Sequence, residues 1–206
     1  MTTTDAEPVP DRILRVAKEL FASKGYEQTR TSAVARLAGT SESQLIKYFG
    51  GKQGLLSAIF DKGWANIIGS AQAELAAKRS APEKLRTIAR TVVGALENDR
   101  TWLELVLLEG RRLRGEAADL ILTRNFIQFV GLIDAVVMEM KKAGMLRSGV
   151  DPQLVRSSMM GMVEGLLRDR LLAERIGYPA RYRIADIFVA LDALVESFLI
   201  RQKRRP

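Results

Sequence analysis

Apolar positions recur at three- and four-residue spacing along almost the whole chain, and the two-residue alternation of a half-buried strand is nearly absent. Ile13, Leu14, Ala17, Leu20 and Phe21 predict a first helix that starts at Asp11 after Pro10 and stops at Gly25. A short second helix follows Thr31 and stops at Gly39, and a third covers Glu42 to Phe49. Gly50-Gly51 then interrupt the chain before a longer helix from Lys52 into the seventies. Ser80-Ala-Pro-Glu83 combines a capping hydroxyl, an early Pro and a Glu three residues on, the start signal of a helix expected to end near Asn98. Further helices are expected over Trp102–Leu113 and Glu116–Ala143. Another starts at Asp151-Pro152 and ends before Gly177, and the last opens at Pro179 and reaches the C-terminal basic tail. The pattern predicts an all-α protein. Residues 1–10 read as a disordered lead, 11–56 as a small N-terminal domain and 57–206 as a larger helical one, with the boundary inside a bridging fourth helix.

Composition narrows the function. The chain has 206 residues and neither Cys nor His. Disulfides, thiol nucleophiles, thiolate metal sites, imidazole acid–base catalysis and the helical zincin motif are therefore excluded. No Gly-rich phosphate loop is present, so neither cofactor nor metal is expected and an enzyme is the less favoured class. The apolar stretch Leu103–Leu108 is too short to span a bilayer, and the lead has no basic, apolar signal-peptide pattern; a cytoplasmic protein is expected.

The net charge of +8 invites a nucleic-acid reading, but its placement matters. Residues 11–62 hold nine Lys or Arg against five acids, and the tail RQKRRP adds four more basic residues. The tail reads as a solvated helix end, whose charge suits a helix C-terminus. A DNA reader has to be argued from its motif.

That motif is the segment Thr31–Phe49. Ala35 supplies the small side chain that a close helix crossing needs, and Gly39 stands where the turn needs positive φ. Val34, Ala38, Leu45 and Phe49 are spaced to fill a small core. At about 100° per residue, Ser43 and Lys47 lie opposite Leu45 and Phe49, with Gln44 flanking them. Gln can bond an adenine edge in two places, Ser reads either base type, and Lys donates to guanine or phosphate. Glu42 repels phosphate yet can accept from cytosine. Thr31 at a helix N-cap, Tyr48 and Lys52 are natural phosphate anchors. A bare helical hairpin with solvated polar residues is the competing reading of this segment taken alone.

The wider stretch Arg12–Leu56 decides between them. Ala17…Leu20-Phe21…Gly25-Tyr26, Thr29, Val34-Ala35…Ala38-Gly39-Thr40-Ser41, Leu45…Tyr48-Phe49, Lys52 and Leu55-Leu56 together resemble the tetracycline-repressor-like (TetR) family. The resemblance implies a three-helix DNA-binding domain with a helix-turn-helix, a larger helical domain for ligand binding and dimerisation, and repression relieved by a small molecule. It puts Thr31 and Ser32 where the second helix approaches double-stranded DNA. Glu42, Ser43, Gln44 and Lys47 fall on the recognition helix, and Tyr48 and Lys52 at phosphates. Ile46 stands where the family commonly has Tyr, and Gly50, Gly51 and Gly54 are expected to loosen the start of the fourth helix.

In the larger domain, Ile184, Ile187, Phe188, Leu191, Leu194, Val195, Phe198 and Leu199 form one apolar stripe, and Ser157, Gly161 and Gly165 repeat small residues at four-residue spacing. Both stripes are compatible with intramolecular core. In the family context they favour a homodimer interface of four helices, with Ser157, Gly161, Gly165, Ile184, Phe188, Leu191, Val195 and Phe198 as its candidates. Trp64, Trp102, Phe126, Phe129 and Met159 are the candidate lining for an apolar small-molecule effector, although such residues are more often plain core. Asn125, Gln128, Glu164 and Arg168 are polar groups that could orient it. The expected protein is thus a repressor released from a palindromic operator by its effector. A helical interaction or scaffolding module with a degenerate DNA reader is the alternative, motivated by Glu42, Ile46 and the Gly-rich linker.

Overall fold

The computed structural model describes residues 7–109 and 122–200. Every named element among them is helical, apart from an isolated antiparallel bridge between Leu146 and Leu199. The described residues fall into two compact units, those within 1–65 and 99–126 and those within 66–98 and 127–206. The division passes through the fourth helix between residues 65 and 66, and the segment after residue 98 returns to the first unit.

The first unit is built on α1 (Val9–Lys24), which buries Ile13, Val16, Ala17, Leu20 and Phe21 on one face. Each large side chain so buried stabilises by roughly 1.5–3 kcal/mol. The helix starts two residues before the expected Asp11, with Pro10 in its first turn, because Pro needs no N–H partner there. Val9 and Pro10 are therefore helical and not part of a disordered lead. Helix α2 (Thr31–Leu37) and α3 (Glu42–Phe49) pack on α1, and α4 (Lys52–Leu75) buries Leu55, Leu56, Ile59, Phe60 and Trp64 in this unit.

Helix α6 (Arg100–Glu104) opens at Asp99, whose carboxylate accepts from the Trp102 N–H at 3.1 Å. It gives way to a π-helical turn over Leu105–Glu109 instead of continuing as the expected single helix; residues 110–113 of that expectation lie outside the described residues. Leu122 and Thr123 are not helical. The Thr123 hydroxyl accepts from the Phe126 N–H at 3.3 Å, so α7 (Arg124–Lys142) begins at Arg124 and not at Glu116. Residues 116–121 lie outside the described residues.

In the second unit, α5 (Ala81–Asn98), α8 (Pro152–Ile176) and α9 (Ile184–Phe198) pack together. The Ser80–Glu83 capping box forms as its spacing predicts: the Ser80 N–H donates to Glu83 at 3.2 Å, and the Glu83 N–H to the Ser80 hydroxyl at 3.4 Å. Asp151 likewise caps α8, accepting from the Gln153 N–H at 2.7 Å. The last helix departs from expectation at both ends. The Tyr182 hydroxyl donates to the Leu166 carbonyl at 2.8 Å and Arg170 donates to the Tyr182 carbonyl at 2.9 Å, which ties the connection to α8 and delays α9 to Ile184. At its end, Arg147 donates to the Phe198 carbonyl and Ile200 to the Met145 carbonyl, both at 2.9 Å. These bonds replace further helical ones, so α9 stops at Phe198. The tail, residues 201–206, lies outside the described residues.

Candidate DNA-binding interface

Three local devices set the hairpin of α2 and α3. Ala35 is buried at the crossing, and Gly39 adopts φ 63°, open to Gly at no steric cost. The Ser41 hydroxyl then caps α3 by accepting from the Gln44 N–H at 3.2 Å. A fourth device is nonlocal: Arg12 Nε on α1 donates to the Ala38 carbonyl at 2.5 Å and satisfies the open end of α2.

Helix α3 is thereby held by one face. Leu45 is fully buried and Phe49 half-buried, whereas Glu42, Ser43, Gln44, Ile46, Lys47 and Tyr48 are all exposed. Some of these polar groups are already oriented. The Thr40 hydroxyl donates to Gln44 Oε1 at 2.7 Å, which holds the Gln44 amide at the start of α3. The Ser41 and Ser43 hydroxyls share a bond at 3.0 Å. Thr31 donates its hydroxyl to the Glu42 carboxylate, joining the starts of α2 and α3. Thr31 is the first helical residue, not the N-cap: Arg30 occupies that position, with no capping bond from its side chain.

Lys52 is less free than its sequence position implies. Its ammonium donates to the Glu27 carbonyl at 3.2 Å, lies 3.8 Å from the Glu27 carboxylate and sits 4.4 Å from the centre of the Tyr26 ring. Burial, with Glu27 nearby, pushes the Tyr26 phenol above its ordinary value, so the ring under Lys52 stays neutral. Gly54 has a packing role that its sequence position does not announce. A Cβ there would lie 1.6 Å from the Phe49 carbonyl oxygen, so Gly54 permits the close approach of α3 to α4. Sequence reasoning passed over Arg36, which is exposed one turn beyond Ser32 on α2. It also read Ile46 only as a missing Tyr, although its 50% exposure marks it as part of the surface.

The effector candidates divide between the units. Trp64, Trp102 and Phe126 form an aromatic cluster in the first, with ring centres 5.4 Å apart for Trp64–Trp102 and 5.0 Å for Trp64–Phe126. The Trp102 indole N–H is buried without a hydrogen-bond partner. Asn125 beside this cluster is not free to orient a ligand, because its side chain donates to the Asp61 carboxylate at 2.7 Å and the Asp61 carbonyl at 3.2 Å. Phe129 and Met159 are buried in the second unit. Among the described residues, no cluster of three or more Asp, Glu, Cys or His is arranged to hold a metal ion.

The interface candidates also separate by burial. Ser157 and Gly161 are exposed and Gly165 half-buried, and a Cβ added at either glycine would meet nothing within 4 Å. Ile184, Phe188 and Phe198 are half-buried, with the Arg90 guanidinium 4.9 Å from the Phe188 ring centre. Leu191 and Val195 are not available to a second copy, since they are 2% and 0% exposed inside their own unit. These two positions, with Ile187, face the core of their unit.

A capped, half-buried reader helix behind a glycine turn is the device of a helix-turn-helix regulator. Residues 13–59 match the bacterial regulatory proteins of the tetR family, and residues 60–200 match the YsiA-like protein C-terminal region. The chain belongs to the tetR family of bacterial transcription regulators and is not an enzyme. It is similar to the fatty acid metabolism regulator protein of Bacillus subtilis (strain 168), with 24% identity over 153 residues that cover 74% of this chain and 78% of the relative. Two solved structures share its fold. The fatty acid degradation regulator FadR from Bacillus halodurans matches with a TM-score of 0.79 at 20% identity, covering 93% of this chain and 96% of that one. FadR from Bacillus subtilis in complex with stearoyl-CoA matches with a TM-score of 0.77 at 22% identity, covering 90% and 95%.

Proposed function

We propose that this regulator acts as a homodimeric repressor that leaves a palindromic operator when it binds an acyl-CoA-class effector. The observation that carries the DNA half is the geometry of α3. Leu45 anchors the helix while Ser43, Gln44 and Lys47 stand exposed on its outer side, flanked by Glu42 and Tyr48. On this reading Thr31, Ser32, Tyr48 and Lys52 hold phosphates, and Lys52 shares its ammonium with Glu27.

The dimer is supported by the open small-residue face at Ser157, Gly161 and Gly165, together with the half-buried Ile184, Phe188 and Phe198. The effector class follows the similarity to a fatty acid metabolism regulator and to a fold neighbour bound to stearoyl-CoA. A long apolar chain suits the aromatic cluster of Trp64, Trp102 and Phe126. The unpartnered Trp102 N–H could donate to a carbonyl of the effector, which would relieve a cost of about 1–3 kcal/mol for leaving such a group buried and unpaired. No helix among the described residues is long and apolar enough to cross a membrane. On this reading the regulator works in the cytoplasm, with its DNA.

The test joins operator selection from a random duplex pool to competition with stearoyl-CoA. The expected result is a palindrome with half-sites about one turn apart, ~34–36 Å, released by stearoyl-CoA but not by CoA alone. An asymmetric selected site, or retention of the operator at saturating stearoyl-CoA, would overturn the corresponding half.

A further inference from the structure

Ile46 is a large apolar side chain left half in solvent on the helix that reads DNA. Isolated exposed apolar residues are ordinary on protein surfaces; the position of this one is not. At about 100° per residue, Ile46 lies roughly 60° from Ser43 and 100° from Lys47. It flanks the outward face of α3 on the side opposite Gln44. The helix ends three residues later at Phe49, and the Gly50 N–H, donating to the Ile46 carbonyl at 2.7 Å, closes it there. No side chain follows Ile46 on that edge, because the next position one turn on is Gly50.

The chemistry of the side chain limits what it can do at a duplex. Isoleucine offers no donor to a phosphate, so the anchoring role of a hydroxyl at this position is lost. Burying Ile46 against a phosphate would desolvate the charge without replacing its hydrogen bonds. The major groove presents one apolar group on its base edges, the 5-methyl of thymine. We infer that Ile46 reads a thymine methyl group in each half-site, adding an apolar determinant beside the polar contacts of Ser43, Gln44 and Lys47. This rests on the DNA-reading role of α3, and goes beyond it by naming the base and the group on it.

The experiment uses the full-length protein and its selected operator. Each thymine in turn is replaced by deoxyuridine, which removes the methyl group and leaves the pairing intact. Affinities are measured for the wild type, Ile46→Val and Ile46→Ala, with matched thermal melting to establish that all three are equally folded. At one thymine per half-site, deoxyuridine should weaken the wild type roughly three- to fivefold, the range expected for one buried methyl. Ile46→Val should keep most of that sensitivity, and Ile46→Ala should lose it. If the wild type ignores deoxyuridine everywhere, or Ile46→Ala is as sensitive as the wild type, the inference is wrong. Equal weakening of operator and random duplex by Ile46→Ala would also overturn it, by assigning the side chain to the sugar-phosphate backbone. Failure to select any duplex would instead sink the reader itself, a separate and recognisable outcome.

Discussion

On the proposed reading, Gln44 shows what a single side chain contributes to the DNA-facing helix. Its amide oxygen is held by the Thr40 hydroxyl, so the group is oriented before DNA arrives. Gln44→Ala should cost about 1–3 kcal/mol on the selected operator and relax preference at one base pair. Tyr48→Phe should weaken operator and random duplex nearly equally, as fluorescence anisotropy at fixed salt would reveal. An unchanged selected site with Gln44→Ala would remove it from the readout. Glycines give a second residue-scale prediction through a matched pair on α4. A Cβ at Gly63 would lie 2.3 Å from the Trp102 ring, whereas one at Gly69 would meet nothing within 4 Å. Gly63→Ala should therefore destabilise by about 1–3 kcal/mol through overpacking. Gly69→Ala should stabilise by about 0.4–1 kcal/mol through the unfolded chain. Thermal melts of the two variants should move in opposite directions. Ala35 and Gly39 were legible in the sequence because the turn they serve is local. The roles of Gly54, Gly63 and Arg12 were not, since a Gly meeting a carbonyl from the preceding helix, or an indole 39 positions on, leaves no periodic trace.

Helix ends set by residues a few positions away were legible, those set by distant bonds were not, and the reason is chemical. Ser80–Glu83 and Asp151-Pro152 cap their helices with groups within three residues, so the signal is written in one short stretch. The end of α9 is decided by bonds to Met145 and Arg147, more than 50 positions earlier, and its late start by Tyr182 reaching Leu166. The capping carboxylates also predict a response to acid. Hydrogen bonds from Ser80, its side chain first and then its backbone, hold Glu83 below its ordinary value. Asp186 is lowered by the backbone and then the side chain of Arg183. A carboxylate with a depressed folded pKa stabilises above its unfolded value, and that contribution disappears as pH falls through the folded value. Acidification below the ordinary carboxylate range should thus loosen the first turns of α5 and α9 before their interiors. Protection of the Ser80 and Arg183 amides, taken as exchange relative to the unstructured rate at each pH, should fall as the pH is lowered, and Glu83→Gln should abolish that dependence at Ser80 alone. Ser80 protection that does not change with pH in the wild type would refute the assignment.

At the scale of the whole molecule, the proposed function requires a second copy and a ligand that distinguishes two shapes of the protein. The open face at Gly161 makes the first requirement testable: Gly161→Leu adds bulk where a single chain has room, so it should leave the protomer folded yet give monomers or aggregates in sedimentation. A wild type that stays monomeric at micromolar concentration would dismiss the dimer. The effector is tested by linkage. A ligand shifts DNA affinity only if it prefers one of two conformations, and a coupling of about 1–3 kcal/mol, 5–150-fold, is typical. Reciprocity then requires operator DNA to weaken stearoyl-CoA by the same factor that stearoyl-CoA weakens operator. Trp64 and Trp102 are in edge contact, so the emission of both should respond when an acyl chain enters their cluster. Trp102→Phe keeps much of the ring and removes the unpartnered N–H. It should lower stearoyl-CoA affinity if that N–H meets the thioester carbonyl, with operator affinity in the absence of ligand little changed. Stearoyl-CoA that binds tightly, perturbs the tryptophans and leaves operator affinity untouched would mean that the pocket exists but controls nothing.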